Sequence, residues 1–210
     1  MDPPLLQVRD LAFTYATAPV LVDLDLEVMP GTCTVIRGDN GTGKSTLLHL
    51  LQGRLQPSRG WVRLEGRPLR GRRRRVALVP QVPSLNWRYP IRLAAMVAMA
   101  AKGEPRTSLP ALRQVGLEAL GDRLIGSLSS GQRQRALIAR ALAQRAAVLL
   151  LGGLLRLLVD QGMAVVLSAH GELPPTLPRR HTYLLQDGNL HHQPAQPSLT
   201  PWQPWTSPSG

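Results

Sequence analysis

The sequence predicts an α/β fold: a mixed β-sheet core with an antiparallel β portion near the amino terminus and a helical portion in the middle of the chain. Three observations predict it. Residues 21–28 alternate, with Val22, Leu24, Leu26 and Val28 on one face and Asp23, Asp25 and Glu27 on the other, the pattern of a half-buried strand. Between Thr32 and Gln52 an apolar strand runs into a glycine-rich turn and then a helix, one βα unit. Val148–Leu151 and Ala164–Ser168 are short Leu-rich or β-branched runs of the kind that form buried parallel strands.

In chain order, Thr32 to Arg37 reads as a fully buried strand and Thr46 to Gln52 as a helix, while Trp61 to Glu65 and Val76 to Pro80 read as further strands. The first half is therefore expected to be antiparallel β with one βα unit inserted. Leu93 to Ala101 is built from Ala, Met and Leu, which favour helix. Gln132 to Arg145 is a strong helix with Ala136, Leu137, Ala139, Leu142 and Ala143 on its apolar side. His181 to Leu185 and Leu190 to His192 flank Asp187-Gly188 as a hairpin. From about Gln193 the chain turns to Pro, Ser, Gln and Trp and is expected to be disordered. The expected organisation is one domain over 1–192, its helical portion at about 90–130, and a tail over 193–210.

Composition bounds the function. A chain of 210 residues with 43% hydrophobic and 18% charged residues can bury a core, which excludes wholesale disorder. Aromatics at 4% make that core aliphatic. One cysteine, Cys33, excludes a disulfide framework and a cysteine-based zinc site, and suits a reducing compartment. The net charge of +12 favours polyanionic neighbours such as nucleotide, nucleic acid or anionic lipid; an Arg-rich composition inherited from a GC-rich genome accounts for it equally. The longest uncharged apolar run, between Arg145 and Arg156, is about half of a membrane span. Met1-Asp2-Pro3-Pro4 has neither a basic nor an apolar leader region, so no signal peptide is expected, and membrane contact needs a partner.

Gly38-Asp39-Asn40-Gly41-Thr42-Gly43-Lys44-Ser45 fits the phosphate-loop pattern G-x-x-x-x-G-K-[ST], with a strand before it and a helix after it. The glycines let successive N–H groups point at one phosphate, and the helix that begins at about Ser45-Thr46 turns its positive end to the same anion. Lys44 is expected to reach the β- and γ-phosphates and Ser45 to offer its hydroxyl to Mg2+. No Asn-Lys-x-Asp occurs, which disfavours a GTPase.

Leu128-Ser129-Ser130-Gly131-Gln132-Arg133-Gln134-Arg135 precedes the long helix. It resembles the LSGGQ signature of ATP-binding-cassette (ABC) ATPases, with Ser130 in place of the first glycine; a plain helix N-cap at Ser129 or Ser130 is the bland alternative. The resemblance runs from about Val8 to Leu190 and implies a P-loop NTPase fold of ABC-ATPase type, a mixed sheet core with an antiparallel β subdomain and a helical signature subdomain. It implies that Tyr15 stacks on adenine, that Gln81 contacts Mg2+ and couples to the membrane partner, and that His170 contacts the γ-phosphate. Gly38, Asn40, Gly41, Thr42, Gly43, Lys44, Ser45 and Thr46 would hold ATP, with Ser129, Ser130, Gly131 and Gln132 closing over it from a second copy. The implied partners are an ABC permease and either a head-to-tail homodimer or a heterodimer with a second ATPase. The implied place is cytoplasmic, peripheral on the inner face of the cell membrane, and nucleic acid is not an expected partner.

The stretch Asn86-Trp87-Arg88-Tyr89-Pro90-Ile91, with Asp122 to Gly126 before the signature, is similar to ABC ATPases that serve zinc, manganese or iron importers. One family feature is missing. After the signature helix the resemblance calls for a strand ending in Asp-Glu, the Asp acting on Mg2+ through water and the Glu polarising the attacking water. Here Val148-Leu149-Leu150-Leu151 runs into Gly152-Gly153, and the next acid is Asp160. A nucleotide-binding chain without turnover is therefore the alternative to a working ATPase. The crossover Gly152 to Met163 just meets the length that a parallel connection needs. Pro174, Pro175 and Pro178 predict a loop after His170.

Overall fold

A computed structural model describes residues 3–79, 85–101, 108–151, 164–169 and 180–193. An antiparallel sheet holds β1 (Leu6–Tyr15), β2 (Ala18–Val28), β4 (Arg59–Leu64) and β5 (Arg67–Pro68) in the order β2-β1-β4-β5. A second sheet holds β3 (Cys33–Arg37), β6 (Val76–Val79), β7 (Val148–Leu151), β8 (Ala164–Ala169), β9 (Arg180–Gln186) and β10 (Asn189–Gln193) in the order β10-β9-β3-β8-β7-β6. Its neighbours pair in parallel except for the β9–β10 hairpin. The α-helices are α1 (Lys44–Gln52), α2 (Leu93–Ala100), α3 (Ser108–Gln114) and α4 (Ser130–Ala143).

The parallel sheet is covered on both faces, which is why its strands are nearly continuous apolar runs. All four residues of β7 are buried. Leu149 and Leu151 pack with Ala77, Val79, Val165 and Leu167 against α2, α3 and α4. Val148 and Leu150 pack with Val76, Val166 and Ile36 against Leu47, Leu50 and Leu51 of α1 and the inner face of the antiparallel sheet. The sheet's alternation thus divides the interior into two cores. Truncating a fully buried leucine such as Leu51 to alanine is expected to cost about 2–5 kcal/mol.

Three expectations are corrected. Val22 does not lie on the buried face of β2; it is 43% exposed, and Leu21 is buried instead. The cause is a bulge at Asp23, whose φ is 52°, which moves the partner of Phe13 to Leu21 while Leu11 stays opposite Leu24. The first half is not antiparallel β with one inserted βα unit, because β6 pairs in parallel with β7 in the second sheet. The helix expected from Gln132 begins at Ser130 and ends at Ala143, and its buried side also includes Ile138 and Ala141. Three elements had no counterpart in the sequence reading: β1, whose alternation is broken at Asp10 (φ 47°), the short β5, and α3. The crossover 152–163, the loop after His170 and the tail from 194 lie outside the described residues.

One helix end and one turn explain themselves. Helix α1 stops at Gly53, whose φ of 76° lets its N–H reach the carbonyls of His49 and Leu50. The β9–β10 turn uses Asp187 and Gly188, both at positive φ, as a two-residue hairpin requires.

Candidate functional site

The loop of residues 38–43 joins the end of β3 to the start of α1. Its glycines are there for different reasons. A Cβ on Gly38 would meet the Leu185 carbonyl oxygen of β9 at 2.5 Å, so the loop can lie against the sheet only without one. Gly43, at φ 96°, caps α1, and a Cβ there would meet Val20 and Leu21 of β2 at 2.9 and 3.0 Å. Gly41, at φ 87°, has open space around it. The loop is thus clamped at both ends, by β9 and by β2, and open in the middle.

No side chain caps α1 and no acid lies in its first turn. Its first N–H groups and the positive end of its dipole therefore face the loop, an arrangement suited to an anion. Lys44 Nζ donates to the Gly38 and Asp39 carbonyl oxygens at 2.8 and 2.5 Å, so the ammonium lies across the loop. Burial holds its pKa below the ordinary lysine value, with Asp39 partly offsetting. The Thr42 hydroxyl and N–H both donate to the Asp39 carbonyl at 3.0 and 3.4 Å. Asp39, Asn40 and Ser45 are exposed. The Ser45 hydroxyl on the uncapped first turn fits a hard cation such as Mg2+, which takes oxygen ligands beside phosphate. Thr46, in the first turn of α1, is only 9% exposed.

Tyr15, at the end of β1, is 49% exposed and meets Phe13 edge to face at 4.7 Å between ring centroids. Phe13 pairs with Leu21, which touches Gly43, so the β1–β2 hairpin carries Tyr15 on the loop's side of the molecule.

Helix α4 begins differently from α1. Ser129 is its N-cap: its Oγ accepts from Gln132 N at 3.3 Å, and the Ser129 N–H donates to Gln132 Oε1 at 2.9 Å. Ser129 and Gln132 are thus engaged in a capping box within the chain. Ser130 and Gly131 are exposed, and a Cβ on Gly131 would meet nothing within 4 Å. Helix α4 packs on β6, α2 and α3, and β6 lies three strands from β3, about 14 Å at the usual strand spacing.

Gln81 and His170 lie outside the described residues. The strands leading to them end level with the loop: Arg37 pairs with Ala169, and Val79 with Leu151, which pairs with Leu167. The loop's supports were missed in the sequence: Val20, Leu21 and Leu185 come from distant strands, and no local pattern marks them. Arg133, whose guanidinium lies over Trp87, was also missed.

The chain is matched by the ABC transporter family model over residues 21–152. It is 41% identical over 151 residues to the zinc transport system ATP-binding protein TroB of Treponema pallidum, a match covering 67% of this chain and 57% of that protein. It is 34% identical over 209 residues to the manganese transport system ATP-binding protein MntA of Synechocystis, covering 86% of this chain and 80% of that protein. In structure it is similar to cbiO1 of Clostridium perfringens, part of the ABC transporter complex cbiONQ, with a TM-score of 0.76, 24% identity, and coverage of 90% and 87%.

Proposed function

Because the chain belongs to the ABC transporter family, whose model matches more than half of it, we propose that it is the ATP-binding subunit of a membrane transporter, coupling ATP binding and hydrolysis to the movement of a metal ion. The observation that carries this reading is the contrast between the two helix starts. The α1 start is uncapped beneath a glycine loop, while the α4 start carries a capping box of its own residues and leaves Ser129, Ser130 and Gly131 exposed.

The chain's residues have these roles. N–H groups of Gly41, Thr42, Gly43 and Lys44 hold the phosphates, and Gly38 and Asn40 shape the turn. Lys44 leaves the Gly38 and Asp39 carbonyls for the β- and γ-phosphates, exchanging two neutral acceptors for anionic ones. Tyr15 stacks on adenine. Mg2+, held by Ser45 and Gln81, supplies charge neutralisation at the phosphates. Ser130 and Gly131 act on the phosphate of a second subunit; they stand exposed at the start of α4, a helix that packs on β6, three strands from β3. The second subunit is either another copy, head to tail, or a related ATPase. His170 meets the γ-phosphate. No helix among the described residues is long and apolar enough to cross a membrane, so we assign the chain to the inner face of the membrane through a permease.

Replacing Lys44 with alanine is expected to weaken binding of a fluorescent ATP analogue about tenfold to a hundredfold, the scale of one charge-assisted hydrogen bond. Equal affinity would overturn the loop assignment. The metal cargo is carried over from the zinc and manganese relatives. Cells lacking this chain but retaining the permease are expected to lose uptake of labelled zinc or manganese; unchanged uptake of both would overturn that part.

A second reading, binding without turnover, rests on one observation. Strand β7 ends at Leu151 with all four residues apolar and buried, and no Asp or Glu follows before Asp160. The relatives' names do not support it, and turnover measurement separates the two.

A further inference from the structure

The segment after Gln81 and the lead-in to α4 are strapped together. Leu93 N donates to the Arg123 carbonyl at 2.9 Å, Ala94 N to Gly121 at 2.8 Å, and Ile125 N to Ile91 at 3.0 Å. Arg92 and Leu124 form an antiparallel bridge. This pairing is backbone, so it fixes the two segments to each other whatever their side chains. It does not by itself fix them to α4.

Besides the packing of α2 on α4, side chains link the segments to the first turn of α4 at one junction. The Arg133 guanidinium lies over the Trp87 ring, 5.1 Å from its centroid, and Arg133 Nη2 donates to the Gly126 carbonyl at 3.0 Å. Arg133 Nε is buried with no acceptor among the described residues. Gly126 closes the junction from the other side, since a Cβ there would meet the Trp87 carbonyl oxygen at 3.0 Å. Trp87 also packs on the helical core. Arg133 stands one residue beyond Gln132, and its own N–H donates to the Ser129 carbonyl at 2.8 Å in the first turn of α4.

We infer that Trp87 and Arg133 are positioning residues: their stacked contact, locked at Gly126, sets where Ser130 and Gly131 point relative to the segment that follows Gln81. Displacement of the strapped segments then moves the first turn of α4 with them. The inference rests on the proposed phosphate-facing role of Ser130 and Gly131. It assigns Trp87 a task that apolar bulk alone cannot perform, because leucine fills space but offers a cation no π face.

The test is a double-mutant cycle with Trp87→Leu and Arg133→Met, read in two ways on the full chain. The first readout is Mg-ATP-driven dimerisation by sedimentation. Each single variant is expected to weaken it about threefold to fivefold, the scale of a partly exposed cation–π contact, and the double variant no further. Trp87→Phe and Arg133→Lys are expected to recover part of the loss, and ATP affinity of the monomer is expected to stay within about twofold. The second readout, without nucleotide, is amide exchange at Gln132 and Arg133, expected to quicken in Trp87→Leu and not in Trp87→Phe. Wild-type chain that fails to dimerise, with exchange coupled as described, would overturn the subunit arrangement and leave the positioning role standing. Effects that add in the cycle, or exchange unchanged in Trp87→Leu, would overturn the inference.

Discussion

A lysine ammonium resting on two carbonyls, as Lys44 does, is held ready rather than spent: neutral acceptors are the weaker partners, so an arriving phosphate displaces them. Tyr15 illustrates a different residue-scale logic. It is half exposed and braced by Phe13, so its ring can receive a base without rearranging the core. Tyr15→Ala is expected to weaken ATP binding by about 1–3 kcal/mol, and Tyr15→Trp to restore it, by analogue titration. His49 carries a pH effect. Its pKa lies below the ordinary imidazole value, chiefly because burial disfavours the cation and secondarily because of Arg54. The unfolded chain therefore binds this proton more tightly than the fold does, and stability falls as pH drops below about 6.5 through the folded value. Above that window the contribution vanishes. Melting curves are expected to show a larger loss between about pH 7.5 and about pH 5 in wild type than in His49→Gln. An equal loss in both would exclude His49 as the source.

The helices differ in what their ends do. Helix α4 is closed by Ser129 and Gln132, which satisfy donors that would otherwise need water. Ser129→Ala is expected to cost about 1 kcal/mol, which in a domain of this size lowers the melting temperature by about 2–4 °C. Calorimetry of the purified variant checks this; an unchanged melting temperature would mean that the capping box contributes nothing. Helix α1 has no such cap, and Gly43 cannot be exchanged for a residue with a side chain without meeting Val20 and Leu21. Its first N–H groups are left without a side-chain acceptor, as the proposed phosphate site requires.

Across the whole molecule, the order β10-β9-β3-β8-β7-β6 puts the loop after β3 and the ends of β6, β7 and β8 on one edge of the sheet. Groups 40 to 130 residues apart in the chain meet there. Helix α4 packs on the same sheet at β6, three strands from β3. The end of β7 is the weak place in this arrangement. The family resemblance calls for two carboxylates there, and the chain follows Leu151 with Gly152-Gly153. On the second reading, without turnover, steady-state phosphate release by the chain with its permease is expected to lie about 10³–10⁵ below that of a version with the Asp-Glu segment inserted between Leu151 and Gly152. Equal turnover in the two would show that another carboxylate acts and that the working-ATPase reading holds for the chain as it stands.

The sequence by itself determined what is local: the phosphate loop, the capped helix start at Ser129, the hairpin turn at Asp187-Gly188, and the apolar runs of β3, β7 and β8. Each depends on glycine conformations, side-chain to backbone bonds or hydrophobic periodicity within a few residues. Only the tertiary structure decided what is non-local. The bulge at Asp23 buries Leu21 and exposes Val22, because β2 carries one residue more than β1 between the pairs Leu11–Leu24 and Phe13–Leu21. Strand β6 left the antiparallel portion because its partner, β7, lies about 70 residues away in the chain. The supports of the loop, Val20 and Leu185, and the contact of Arg133 with Trp87 exist only once those strands and helices pack. Contacts of that kind are selected by the burial of whole faces, which no short window of sequence contains.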